Sequence, residues 1–237
     1  MFSRLLPRRA AHPAPLHGAR APRPKVFGIG ANKTGTSTLM EILRRLGLRE
    51  GPLAEGERCA EAAFRGDLAP LARLIRRYDA FKDVPFSVRS VYAQVDALFP
   101  RSKFILTVRE PEAWFRSIST FHARLMGVDD PARVTPALVR ACAYGGPGYW
   151  PRYQEATWLL RVDGSHQAAP DWNLLYDRDH YIDLYVKRNQ EIVRHFSERP
   201  DDLLIVDLTR ARTPARIADF LGYPRARAGE MPWENPT

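Results

Sequence analysis

Residues 28–38 read GIGANKTGTST and follow the apolar pair Val26–Phe27. A glycine-bounded loop that leaves a short buried strand and enters a helix is suited to phosphate, because backbone N–H groups and the positive helix end converge on one anion. Leu39, Ile42, Leu43 and Leu46 recur at i, i+3, i+4 and i+7. The spacing predicts an amphipathic helix from about Gly35 to Leu46, ended by Gly47. The loop's own cation, Lys33, stands before Gly35 rather than after it. A dinucleotide fingerprint GxGxxG starting at Gly28 needs glycine where Lys33 stands, and no strand-end acid follows about 20 residues on. The GxxxxGK[ST] pattern is met by Gly30 and Gly35, but Thr36 and Ser37 then replace its lysine and hydroxyl residue. A phosphate nest can form here, with its lysine entering from mid-loop.

Working outward, short apolar runs alternate with helical periodicity, which predicts an α/β fold: a mostly parallel sheet between two helical layers, of the nucleotide-binding P-loop type. KVFGIG (25–30), DAFKD (79–83), KFILTV (103–108) and LLIVD (203–207) read as strands, the last two apolar enough to be covered on both faces. Helices are expected from about Pro85 to Leu98, from Pro111 with Trp114, Ile118, Phe121 and Leu125 on one face, and from about Asp179 to Phe196. The last expected helix has Thr213 as cap, Pro214 at its first position and Gly222 past its end. Residues 144–176 are the least regular.

The chain has 237 residues and net charge +9, suited to one core and one domain over residues 25–237. Residues 1–24 contain five arginines, five prolines and no acid, and read as a disordered basic leader without a secretory h-region. Without them the balance is 31 basic against 27 acidic residues, or +4, which suits an anionic small ligand. No apolar run reaches the roughly 18 residues of a membrane span. Cys59 and Cys142 have no metal or redox spacing and the six histidines form no HExxH pattern, so no metal and a reducing, cytoplasmic setting are expected.

A second stretch, VREPEAWFRS (108–117), puts Arg109 at the end of a strong strand and Ser117 about two turns into the next helix. A planar guanidinium fork and a hydroxyl so placed can converge on one phosphate. NKTGTST, followed by this Arg-x-Pro…Ser pattern, resembles the two donor-binding motifs of sulfotransferases that use 3′-phosphoadenosine 5′-phosphosulfate (PAPS). The blocks VFGIGANKTGTSTL, RSKFILTVREPEAWFRS and DLLIVDLT…IADFLGYP resemble a bacterial-type branch of that family. The resemblance implies that Lys33 contacts the oxygen bridging phosphate and sulfonate. It implies that Thr34, Gly35, Thr36, Ser37 and Thr38 bind the 5′-phosphate, and that Arg109 and Ser117 bind the 3′-phosphate. PAPS would be the donor, with a small-molecule or carbohydrate acceptor and neither nucleic acid nor membrane span as partner.

Sulfonate transfer needs a base for the acceptor's proton. In FKDVP (81–85), Asp83 stands where the family's cytosolic branch has a histidine, so the resemblance implies Asp83 as base. Its ordinary pKa of about 3.9 makes it weak, and burial would have to raise it. Asp83 equally suits the cap of a helix beginning near Pro85, and Lys82 suits either the donor or solvent. Nine of the 14 Trp and Tyr residues fall between Tyr144 and Tyr185, as an acceptor pocket or as core. His122, His166, His180 and His195 stand singly and read as structural or solvated. Asn235 resembles the family's C-terminal Pro-x-x-Asn. Two other function classes stay open. Asp207, ending LLIVD, also suits a Mg²⁺-dependent kinase or hydrolase, and a non-catalytic nucleotide-binding module would keep the loop without turnover. Nucleic-acid binding rests on the leader alone.

Overall fold

The computed structural model describes residues 24–162, 168–208 and 213–232. The basic leader, apart from Pro24, lies outside the described residues, as do His166 and Asn235. The elements run β1 (Val26–Gly28), α1 (Thr36–Arg45), α2 (Leu53–Phe64), α3 (Ala69–Arg77), β2 (Ala80–Phe81), α4 (Val91–Leu98), β3 (Lys103–Val108) and α5 (Pro111–Leu125). They continue with α6 (Pro136–Ala141), α7 (Tyr149–Thr157), β4 (Leu160–Val162), β5 (Ala168–Pro170), α8 (Arg178–His195), β6 (Leu203–Asp207), α9 (Thr213–Phe220) and α10 (Arg225–Ala228).

Four strands form a parallel sheet in the order β2-β1-β3-β6, while β4 and β5 pair antiparallel apart from it. Strand alternation sends Phe27, Phe81, Phe104 and Leu106 to one face, against Leu71, Leu74 and Ile75 of α3, Tyr92 of α4 and Ile192 of α8. Val26, Ala80, Ile105 and Val206 take the other face, against Leu39, Ile42 and Leu43 of α1 and Ile217 of α9. The fold is thus the expected three-layer α/β/α arrangement. Phe27 is fully buried, with ring centroids 5.3 Å from Phe81 and 5.4 Å from Phe104. Truncating such a ring in a packed core costs about 3–5 kcal/mol.

Strands β3 and β6 have the expected bounds and α5 its expected start at Pro111, but β6 is not covered on both faces: it is an edge strand that buries only Val206, with Ile205 exposed. The sequence reading put no element on residues 51–78, where α2 and α3 stand. Helix α2 buries only Gly56, Ala60 and Ala63, so it carries no apolar stripe to betray it. The helix expected from Pro85 starts instead at Val91, because Arg89 sits at φ 47, outside helical geometry. Asp83 therefore caps no helix there. Thr213 is the first residue of α9, and its hydroxyl donates to the Asp207 carbonyl at 2.9 Å. The irregular segment holds α7 and the β4–β5 pair.

A third cluster lies outside the sheet, where Trp114 and Ile118 of α5 meet Trp150, Tyr153, Trp158, Tyr181 and Tyr185. Most of the aromatic band is therefore core.

Candidate functional site

The loop after β1 lies against β3, and glycine makes this possible. A Cβ on Gly30 would come within 2.0 Å of Thr107 Oγ1 and 2.4 Å of the Thr107 carbonyl. Gly35 caps α1 at φ 93, with no side chain on the helix's first N–H groups and no acid in its first turn. The first backbone N–H groups of α1 therefore remain available where the loop borders a cleft of about 810 Å³, which Thr36, Ser37 and Thr38 line. Thr34 has a different task. Its N–H and hydroxyl both donate to the Ala31 carbonyl (3.3 and 2.6 Å), and its Oγ1 lies 2.5 Å from Thr107 Oγ1. It fixes the loop to β3.

Lys33 and Asp83 are two of the five non-glycine residues with positive φ among the described residues, at 70° and 55°. Such backbone positions persist only where surrounding structure holds them. The Lys33 ammonium lies 4.6 Å from the centroid of the Phe121 ring. Burial lowers its pKa and the Arg109 charge lowers it further, while Asp83 opposes both. A lysine crowded by positive charge is set to receive an anion.

Arg109 follows β3 directly and is clamped by its backbone. The Tyr185 hydroxyl accepts from the Arg109 N–H and donates to the Arg109 carbonyl, each at 3.0 Å. Tyr185 stacks on Trp114 at 4.2 Å, and Trp114 Nε1 donates to the Asn32 carbonyl at 3.1 Å. The aromatic core thus ties the Arg109 turn to the Lys33 loop. Helix α5 begins on a Glu110 cap that accepts from the N–H groups of Glu112 (2.9 Å) and Ala113 (2.7 Å). From it Ser117, Phe121 and Arg124 line the cleft at i, i+4 and i+7. That spacing was readable in the sequence and would have added Arg124 to the set.

Asp83 lies after β2, 9% exposed, with Oδ1 unpartnered and Oδ2 3.9 Å from Lys82 Nζ. Burial raises its pKa, opposed by Lys82 and by a hydrogen bond from Thr36. This is the direction a carboxylate base requires. Lys82 Nζ also reaches Ser37 Oγ at 3.5 Å, so it sits within the site. Lys33, Thr34, Gly35, Thr36, Ser37, Thr38, Asp83, Arg109 and Ser117 all line this one cleft.

Two further residues escaped sequence reasoning. Glu57, on α2, lines the cleft and accepts from the Tyr144 hydroxyl at 2.9 Å. Burial raises its pKa and the Asp83 charge adds to that, while Tyr144 counters. Arg188, on α8, is half-buried and donates to the carbonyls of Ile29 (2.9 Å) and Phe86 (3.4 Å), joining the Lys33 loop to the Asp83 segment. Burial brings its pKa down to about 10. No signal marks it in the sequence, where it resembles any helix-surface arginine.

The described histidines are engaged elsewhere: His180 with the Trp158 carbonyl and His195 with Asp96, both at 2.8 Å. His122 is fully buried, edge-on to Trp150 at 4.7 Å. Among the described residues no three His, Cys, Asp or Glu side chains group in a way that could hold a metal ion. Asp207 lines the cleft at the end of β6.

A family model described as a sulfotransferase domain matches residues 25–237. The chain belongs to the sulfotransferase domain family. It is accordingly a transferase of the sulfonate-transferring kind. No curated protein matches it. Among solved structures, a sulfotransferase from Alicyclobacillus acidocaldarius aligns with TM-score 0.50 and 16% identity, over 86% of this chain and 83% of that one. At that identity the likeness speaks for the shared fold alone. No described helix of this sulfotransferase-family chain is long and apolar enough to cross a membrane.

Proposed function

We propose that the protein transfers a sulfonate group from PAPS to a hydroxyl or amine of a small-molecule or carbohydrate acceptor. The observation that carries this reading is the meeting of the Lys33 loop, the Arg109–Ser117 pair and Asp83 in one cleft. The residues fit the donor. The Gly30 approach and the uncapped α1 terminus make a cradle for the 5′-phosphate, and Arg109 with Ser117 offers a fork and a hydroxyl for the 3′-phosphate. Bound PAPS supplies the sulfonate and departs as adenosine 3′,5′-bisphosphate.

The chain's own residues divide the remaining work. Asp83 takes the proton from the acceptor as its oxygen or nitrogen bonds to sulfur. Lys33 stabilises the electron pair left on the 5′-phosphate oxygen when the sulfur–oxygen bond breaks. Thr34 and Arg188 hold the loop in place, and Lys82 adds positive charge beside Ser37.

Calorimetric titration tests the donor site. Adenosine 3′,5′-bisphosphate should bind at micromolar Kd, unmatched by ATP with Mg²⁺, and Lys33→Ala should weaken it about tenfold or more. Preference for ATP with Mg²⁺, unaffected by Lys33→Ala, would favour the kinase class and overturn the proposal.

A further inference from the structure

We infer that the acceptor end of the cleft, where Glu57 and Asp83 stand together, takes an acceptor carrying a positively charged amino group beside the atom to be sulfonated. This deepens the PAPS-dependent reading above and rests on it.

The charges in the cleft are of two kinds. Lys33, Lys82, Arg109 and Arg124 come from the loop, the end of β2 and α5, and a donor with two phosphates and a sulfonate accounts for them. Glu57 answers to none of that. It reaches the same cleft from α2, half-buried, and its hydrogen bond comes from a neutral phenol, Tyr144, on Oε1. No Lys, Arg or His pairs with it among the described residues, although Arg58 is its sequence neighbour. Two other partly buried carboxylates do have cations: Asp79 has Arg49 at 3.0 Å, and Asp96 has Arg199 at 2.5 Å and His195 at 2.8 Å. A carboxylate withdrawn from water without a cation is costly unless a ligand supplies one.

A second observation is independent of Glu57. Asp83 is nine-tenths buried in the wall of the same cleft, with Oδ1 unpartnered. Its charge lies close enough to Glu57 to disfavour that carboxylate's charged form, so two carboxylates share this end of the cleft. Beyond Glu57 a smaller cavity of about 180 Å³ opens between α2 and the segment of Gly145, Gly146 and Tyr149; Arg58 and the Arg152–Glu61 pair (3.6 Å) also line it, and it has room for an uncharged remainder of an acceptor. An acidic acceptor would set its own charge against Glu57, and an uncharged one would leave Glu57 unpaired. A cationic amine gives Glu57 the partner it lacks and leaves Asp83, already beside Lys82, for the acceptor's proton. The pair acts by selection as much as by attraction.

The test uses three six-carbon rings of matched size, D-glucosamine, D-glucose and D-glucuronate, titrated by ligand-observed NMR into the full chain saturated with adenosine 3′,5′-bisphosphate. Glucosamine should bind about tenfold or more tighter than glucose, with glucuronate weakest. Glu57→Gln should bring glucosamine and glucose to within about twofold, and Tyr144→Phe should narrow the gap less. Equal binding of the three rings, a preference for glucuronate, a preference that survives Glu57→Gln, or no binding of glucosamine would each overturn the inference. Failure of the bisphosphate to bind in the first step is a separate result: it removes the donor reading, and the inference with it.

Discussion

Asp83 combines a left-handed backbone, nine-tenths burial and an unpartnered oxygen, all beside Lys33 and Lys82. Few residues are worse placed for stability and better placed for taking a proton. Burial raises its folded pKa, so at neutral pH the fold holds a carboxylate that would rather be neutral. For a carboxylate raised in this way, stability is fullest below its unfolded pKa and is lost as pH rises through the folded one. Asp83→Asn removes that cost. The substitution should stabilise the protein at pH 7–8 by roughly 1–3 kcal/mol, with each kcal/mol raising Tm by about 2–4 °C in a chain of this size. It should also lower turnover by about 10²–10⁴-fold. Thermal melts and sulfonate-transfer assays on the same preparation check both halves. Loss of stability together with activity would mean that Asp83 serves the fold rather than the chemistry.

At the scale of elements, α5 gives the site its geometry and also carries its quietest residue. Its face turned to the cleft holds Ser117, Phe121 and Arg124, while its buried face holds Trp114, Ile118 and His122. Trp114 and Ile118 of the buried face were legible in the sequence, but Phe121, expected beside them, turns to the cleft, and His122 takes part in the buried face unannounced, because a lone histidine says nothing of its surroundings. Burial, with the Lys33 charge adding to it, brings the folded pKa of His122 down from 6.5 to about 3. The unfolded chain then binds a proton that the fold refuses, so the stability contributed is full above about pH 6.5 and is lost as pH falls toward 3. The wild type should lose up to about 1.4 kcal/mol per pH unit across that window relative to His122→Gln. Parallel stability curves for the two proteins would show that His122 is solvated. Helix α2 marks the limit of sequence reading at this scale. It brings Glu57 to the cleft on a helix whose buried positions are glycine and alanine, a pattern no hydrophobic period reveals.

For the molecule as a whole, the layers were legible because a parallel sheet buried on both faces writes continuous apolar runs. Strand β3 therefore reads residue for residue; β6 does so as an apolar run although it lies at the sheet edge with Ile205 exposed, and α5 was legible from its first residue, Pro111. The proposed donor half of the cleft was legible for another reason: a glycine-bounded loop between strand and helix constrains backbone positions over a few consecutive residues, as at Gly30 and Gly35. The acceptor half was not. Glu57 and Tyr144 lie 87 residues apart and meet only through tertiary packing, as does Arg188, 159 residues from the carbonyl it holds. The central claim is that Arg109 and Lys33 read the two ends of one nucleotide. A calorimetric cycle tests it most directly, with adenosine 3′,5′-bisphosphate and adenosine 5′-monophosphate each titrated into the wild type and Arg109→Ala. Deleting the 3′-phosphate should cost the wild type about 100-fold in Kd and Arg109→Ala less than about threefold. An undiminished preference for the bisphosphate in Arg109→Ala would contradict the account.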